Sequence, residues 1–424
     1  MTSDPGRELA REAFVWAWLP GQAEPVVAGR LAPTPLGLQF NYGRSYLARV
    51  DAIPLYLPEL PLQTGLRPLP TGLTMPGCLR DAAPDAWGRR VILNRLLGHA
   101  GHEADTTVLD ELSYLLQSGS DRIGALDFQA SATDYQPRQG GDATLEELLD
   151  SASRVERGLP LTPDLAQAIQ HGTSIGGARP KATLTNQGNK WIAKFSSSTD
   201  VYPVVKAEFV AMRLAALVGI DVAPVSLVQA AGKDVLLIER FDRVAHLDGH
   251  WRRRALVSAL TMLELDEMMA AYASYADFAE IVRHRFSDPR ATLHELFARL
   301  VFNILCGNTD DHARNHAAFW DGEQLTLTPA YDICPQVRTG QEATQAMKIL
   351  GENRFSRLDL CVTAAIQFQL SEPEARQIID AQMEALNTHW TVVCDEARLG
   401  EAERNALWGR QFLNPFALQG YVET

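Results

Sequence analysis

The feature that most constrains this 424-residue chain is an apolar stripe that stops abruptly in a polar loop. Leu293, Leu296, Phe297, Leu300, Val301, Ile304 and Leu305 recur at helical spacing, which predicts a helix, and Gly307 supplies its stop. Out of that stop runs Asn308-Thr309-Asp310-Asp311-His312-Ala313-Arg314-Asn315.

Asp310 and Asn315 have the D-x-x-x-x-N spacing of a kinase catalytic loop. The chemistry needs a carboxylate that accepts the proton of a substrate hydroxyl, and a side-chain amide on the same loop that ligates magnesium. After a strand-like Gln324–Thr328 and Pro329 comes Ala330-Tyr331-Asp332-Ile333, in which Asp332 can supply a second magnesium ligand. In isolation such spacing arises by chance; its order with the upstream features argues otherwise.

Those features begin after Gly172, read as the stop of a helix opened by Thr162-Pro163. Thr173-Ser174-Ile175-Gly176-Gly177-Ala178-Arg179-Pro180-Lys181 follows, and its paired glycines let backbone N–H groups approach an anion closely. It matches neither G-x-x-x-x-G-K-[ST] nor G-x-G-x-x-G, and a plain surface turn is the alternative. Residues 182–185 then read as a strand, 186–189 as a turn and 190–195 as the returning strand, which carries Lys194. Glycine loop, hairpin and strand lysine together form the phosphate-holding arrangement of protein kinases. A helix follows with Val205, Phe209, Met212 and Ala216 on one face and Gly219 as its stop. Glu208, placed in its first turn, reads either as an ion-pair partner of Lys194 or as a charge that suits a helix N-terminus. Val235–Phe241 reads as a buried strand emptying into a hinge, where the backbone of Glu239 and Phe241 can meet an adenine edge.

The first 115 or so residues read as short strands and turns, then a proline-rich stretch, then a helix entered through Asp81-Ala-Ala-Pro84-Asp85. Thr144-Leu-Glu-Glu147 is a capping box that opens a helix to about Arg157. From Leu256 onward the pattern is mostly helical. Composition sets limits on partners: Lys and Arg number 39 against 52 Asp and Glu, a net charge of −13. Such a chain is poorly suited to binding DNA by itself, because duplex affinity rests on neutralising phosphates. No apolar run of membrane-spanning length occurs, and the N-terminal residues lack the apolar centre of a signal peptide. Cys78, Cys306, Cys334, Cys361 and Cys394 are scattered and odd in number, which predicts reduced thiols in a cytoplasmic protein.

Two competing chemistries fail on their own patterns. His312 and His316 are four apart, as zinc ligands on a helix are, but position 313 is alanine and no third ligand is nearby, so His316 is expected to pack. No G-x-S-x-G elbow of a serine hydrolase occurs.

With these residues assembled, the chain resembles the HipA-like serine/threonine kinases, the toxin halves of bacterial toxin–antitoxin pairs, over nearly its whole length. The resemblance is carried by Asp85-Ala-Trp-Gly-Arg89, by residues 174–181, by Glu239-Arg-Phe-Asp-Arg243, by residues 308–315 and by Tyr331-Asp332. It implies an α+β, two-lobed kinase-like fold with an additional amino-terminal α/β subdomain and an all-α carboxy-terminal lobe. The corresponding expectation for the chain is a subdomain over 1–115, an N-lobe over 116–248 and a helical C-lobe over 249–424. By carry-over Asp310 is the catalytic aspartate, and Asn315 and Asp332 bind Mg2+. Gly176, Gly177, Ala178, Arg179 and Lys181 cover the phosphates of ATP, Lys194 holds them, Glu239 and Phe241 grip adenine, and His312 and Tyr331 complete the nucleotide site. Ser174 resembles the family's autophosphorylation serine, where a phosphate adds about −1.5 to −2 charge and can expel the loop.

The function so implied is an ATP- and magnesium-dependent kinase that arrests growth by phosphorylating a translation component such as an aminoacyl-tRNA synthetase. A helix-turn-helix antitoxin like HipB would hold it inactive and carry the only DNA contact, with no membrane involved. The rivals are a small-molecule kinase on the same scaffold and a silent corepressor acting through the antitoxin. The absence of G-x-G-x-x-G, D-F-G and A-P-E bars activation-loop arguments.

Overall fold

The computed structural model describes residues 11–98, 104–138, 140, 143–170, 173–186, 188–338 and 340–421. Gly172, the expected helix stop, lies outside them. The chain forms two compact units that interleave along the sequence: residues 1–198 with 242–256 and 321–323, and residues 199–241 with 257–320 and 324–424.

In the amino-terminal unit the early strands form one antiparallel sheet, in the order Gly37–Tyr42, Val26–Thr34, Ala13–Ala17, Leu126–Gln129. Val15, Leu31 and Phe128 are wholly buried on it. Arg122, also fully buried, donates to Asp127 at 2.9 Å and to the Ala82 carbonyl at 2.9 Å, so the charge enters the core already paired. The helix Ala86–Leu97 follows Asp85, with Pro84 just outside it. The Thr144–Glu147 capping box forms and opens the helix Leu145–Glu156. Thr162 caps Pro163–Ile169. The strands Lys181–Asn186 and Asn189–Phe195 pair as an antiparallel hairpin, as their alternation predicts.

The second unit contains the helix Val204–Leu217, the hairpin of Val225–Ala230 with Lys233–Glu239, and a helical body. At its centre the apolar stripe folds as the helix Pro289–Cys306, whose Leu293, Leu296, Phe297, Leu300, Val301, Ile304 and Leu305 are all fully buried. It packs against Tyr275–Arg285 and the long helix Glu372–Glu396, whose Gln382 donates to the Ala298 carbonyl at 2.9 Å. A short hairpin, Ala317–Trp320 with Leu325–Leu327, interrupts the helices beyond the polar loop. Ala216 departs from its expected face and is exposed. All five cysteines are free and buried. No helix among the described residues is long and apolar enough to cross a membrane.

Candidate active site

In the carboxy-terminal unit the polar loop is shaped by the end of the buried helix. Gly307 follows that helix at φ 73°, and a Cβ there would stand 2.7 Å from the Gln411 carbonyl oxygen, so only glycine both turns the chain and admits this neighbour. The loop then closes on its own backbone. His312 donates its N–H to the Asp310 carbonyl at 2.9 Å, and Asn315 its N–H to the His312 carbonyl at 2.8 Å. The Asn315 side-chain nitrogen donates to the Asp310 carbonyl at 3.1 Å, which leaves Oδ1 as its acceptor atom for a cation.

Asp310 itself is open to solvent. Its carboxyl is nevertheless raised above the ordinary aspartate value: partial desolvation raises it, His312 opposes, and the Asp332 and Asp311 carboxylates raise it further. Asp332 sits at φ 58°, in the left-handed region that side-chain-bearing residues seldom adopt. Strained backbone of this kind concentrates at functional sites. Beside it, Tyr331 donates its hydroxyl to the Arg314 carbonyl at 2.7 Å, and its ring lies 5.6 Å from that of Phe241. The structure therefore brings Asp310, Asn315, Asp332, Tyr331 and Phe241 to one region. His312 adds a buried Nδ1 with no hydrogen-bond partner among the described residues. Asn315 and Asp332 offer hard oxygen ligands, the set a magnesium ion takes. A carboxyl raised by its neighbouring carboxylates is what such a site holds before a cation neutralises the charge. Glu239 donates its N–H to the Pro224 carbonyl at 2.9 Å.

One constellation in this loop was not legible in the sequence. Asp311, next to Asp310, is buried; its carboxylate accepts the Tyr275 hydroxyl and lies 3.0 Å from Nε2 of His316. Burial works against this charge, but His316 and the hydrogen bonds prevail and hold the carboxyl below its usual range. His316 is thus a packing residue, as expected, with a polar task besides. The Asp-Asp doublet hinted at a second role, whereas Tyr275 comes from a helix that no local pattern connects to the loop.

In the amino-terminal unit the glycine loop precedes the first strand of the hairpin. Lys181 and Lys194 are register partners across that hairpin, and both are buried. The Lys181 ammonium donates to the Gly176 carbonyl. Ser174 is 2% exposed, and its hydroxyl has no hydrogen-bond partner among the described residues. Glu208 differs from expectation. The helix starts at Val204, so Glu208 falls in the second turn and is buried, which removes its reading as a charge at the helix terminus.

Comparison with known proteins agrees with these patterns. Residues 22–129 match the HipA N-terminal domain family, and residues 173–390 match the HipA-like C-terminal domain family. The protein Y4mE of Sinorhizobium fredii is 29% identical over 252 residues, 55% of this chain and 58% of that one. The serine/threonine-protein kinase toxin HipA of Shewanella oneidensis is 29% identical over 184 residues, 38% of this chain and 42% of the toxin. The chain thus spans about half the length of the curated relatives it matches. A solved Shewanella oneidensis complex of HipA, HipB and operator DNA superposes with a TM-score of 0.69, covering 97% of this chain and 100% of its counterpart at 19% identity, and so shares the fold.

Proposed function

Because the chain belongs to the HipA-like family, we propose that it is an ATP- and magnesium-dependent serine/threonine protein kinase acting as the toxin of a toxin–antitoxin pair. The observation that carries this reading is the loop that presents an open, raised Asp310 carboxyl beside Asn315 and a strained Asp332. Asp310 orients the substrate hydroxyl and accepts its proton as the phosphoryl group leaves ATP. Asn315 and Asp332 would hold magnesium, which would neutralise charge on the phosphates. Residues Gly176, Gly177, Ala178, Arg179 and Lys181, with Lys194, hold the phosphates. Glu239 and Phe241 take the adenine, with His312 and Tyr331 alongside. The substrate is a translation component such as an aminoacyl-tRNA synthetase, and a helix-turn-helix antitoxin restrains the kinase and contacts DNA in its place.

Ser174 is the proposed autophosphorylation site. Buried as it is, the serine can receive or keep a phosphate only if the loop opens, which couples the modification to loss of the phosphate-holding conformation. Incubation with labelled ATP followed by mass spectrometry tests the whole reading. Phosphate on Ser174 and on a synthetase, both abolished by Asp310→Ala, is the expected result. Transfer only to a small molecule would favour the small-molecule kinase, and no ATP binding would sink both.

A further inference from the structure

The sequence Asp85-Ala-Trp-Gly-Arg89, which lies within the HipA N-terminal domain match, makes contacts that its place in the chain does not foretell. Asp85 is the N-cap of the helix Ala86–Leu97, yet its side chain caps none of that helix's own amides. An N-cap aspartate ordinarily accepts from the second or third helical N–H. Here the carboxylate instead accepts the N–H of Gly177, some ninety residues further on in the glycine loop. The exchange is mutual, because Trp87 donates its main-chain N–H to the Gly177 carbonyl at 3.3 Å. Gly177 is therefore held at both its N–H and its carbonyl by the start of the helix.

Three further contacts extend the grip along the loop. The Trp87 indole donates to the Lys181 carbonyl at 2.9 Å, and the Arg90 guanidinium to the Ala178 carbonyl. Gly88 lets the helix approach closely, since a Cβ there would lie 2.1 Å from the Thr173 carbonyl oxygen. Gly177 is at φ 103°, a conformation that the loop must be held in.

We propose that Asp85 is a positioning residue, and that the amino-terminal helix sets the phosphate loop in its nucleotide-ready conformation through the Asp85–Gly177 hydrogen bond. The proposal rests on the reading of residues 176–181 as the phosphate-holding loop. Asp85 acts as a hydrogen-bond acceptor, so an asparagine, whose Oδ1 can still accept, replaces it, whereas alanine does not. Loss of a hydrogen bond to a charged group releases the loop to sample open states, by about tenfold or more in their population.

Hydrogen exchange on the nucleotide-free full-length protein, read over peptides covering 173–181, tests the grip without any appeal to catalysis. Asp85→Ala is expected to speed exchange there by about tenfold and Asp85→Asn by no more than about threefold, with the global unfolding midpoint unchanged. With ATP present, Asp85→Ala is expected to raise the KM for ATP roughly tenfold with kcat within about twofold of wild type, and Asp85→Asn to restore the KM. Should the alanine variant not fold, Asp85→Glu, which pushes the loop outward by one methylene, takes its place with the same expected direction. Unchanged exchange in the alanine variant, an asparagine variant as loose as the alanine one, or a lowered KM in both would each overturn the proposal. A wild-type protein that binds no ATP would sink the kinase reading while leaving the exchange result to decide the grip.

Discussion

Two adjacent aspartates in the carboxy-terminal unit, Asp310 and Asp311, behave differently because their surroundings differ. Asp310 keeps a solvent face and is raised, partly by the Asp332 carboxylate. In metal-free protein, Asp332→Asn should therefore move the Asp310 titration down toward the ordinary carboxylate range, as followed by carboxyl NMR; an unmoved titration would mean the two charges do not interact. Asp311 has the opposite shift, held low by His316 and the Tyr275 hydroxyl despite burial. A carboxylate with a depressed folded value contributes its stability in full above about pH 3.9, its unfolded value, and loses it as pH falls through the lower folded one. Wild-type urea midpoints should accordingly fall more steeply than those of Asp311→Asn as pH drops below about 4. At this scale the sequence pointed to Asp310, Asn315 and Asp332 through their spacing and their order after the glycine loop and strand lysine. It was silent on Tyr275, because a contact across 36 residues leaves no local pattern.

The elements most legible beforehand are those whose ends are chemically marked. Thr144 with Glu147 and Gly307 each delimit a helix where side-chain chemistry requires it. Gly307→Ala forces a side chain into both a left-handed φ and the Gln411 carbonyl, and should cost more than about 1 kcal/mol in chemical denaturation. The helix beginning at Val204 lacks such a mark: Pro203 is its N-cap and makes no side-chain cap, so nothing local showed where its first turn ends and Glu208 was given to the wrong turn. Strand elements depend on what they bury. Removing the partner of fully buried Arg122 by Asp127→Ala should cost roughly 3–5 kcal/mol, since the guanidinium keeps its desolvation without its counter-charge. A midpoint close to wild type would show that Arg122 finds replacement acceptors.

For the whole molecule, what no linear reading could supply is the interleaving of the two units. Residues 242–256 fold with the amino-terminal unit because polar groups there meet across more than a hundred residues: Gly124 donates to Asp242 at 2.7 Å, and Arg243 reaches Asp121 at 3.0 Å. Net charge, by contrast, is fixed by composition. With −13 overall, the chain alone should fail to retard operator-length duplex DNA in a gel at physiological salt, and a shift should appear only with a basic partner. The five buried cysteines have a practical consequence. Burial pushes the Cys306 thiol up to about 12 and Cys394 to about 11, so neither offers an appreciable amount of thiolate at neutral pH. The folded protein should thus be almost silent to alkylating reagents, and a single cysteine introduced at an exposed position becomes its one fast-labelling point. A fluorophore can then report on any chosen segment without a cysteine-free background having to be built.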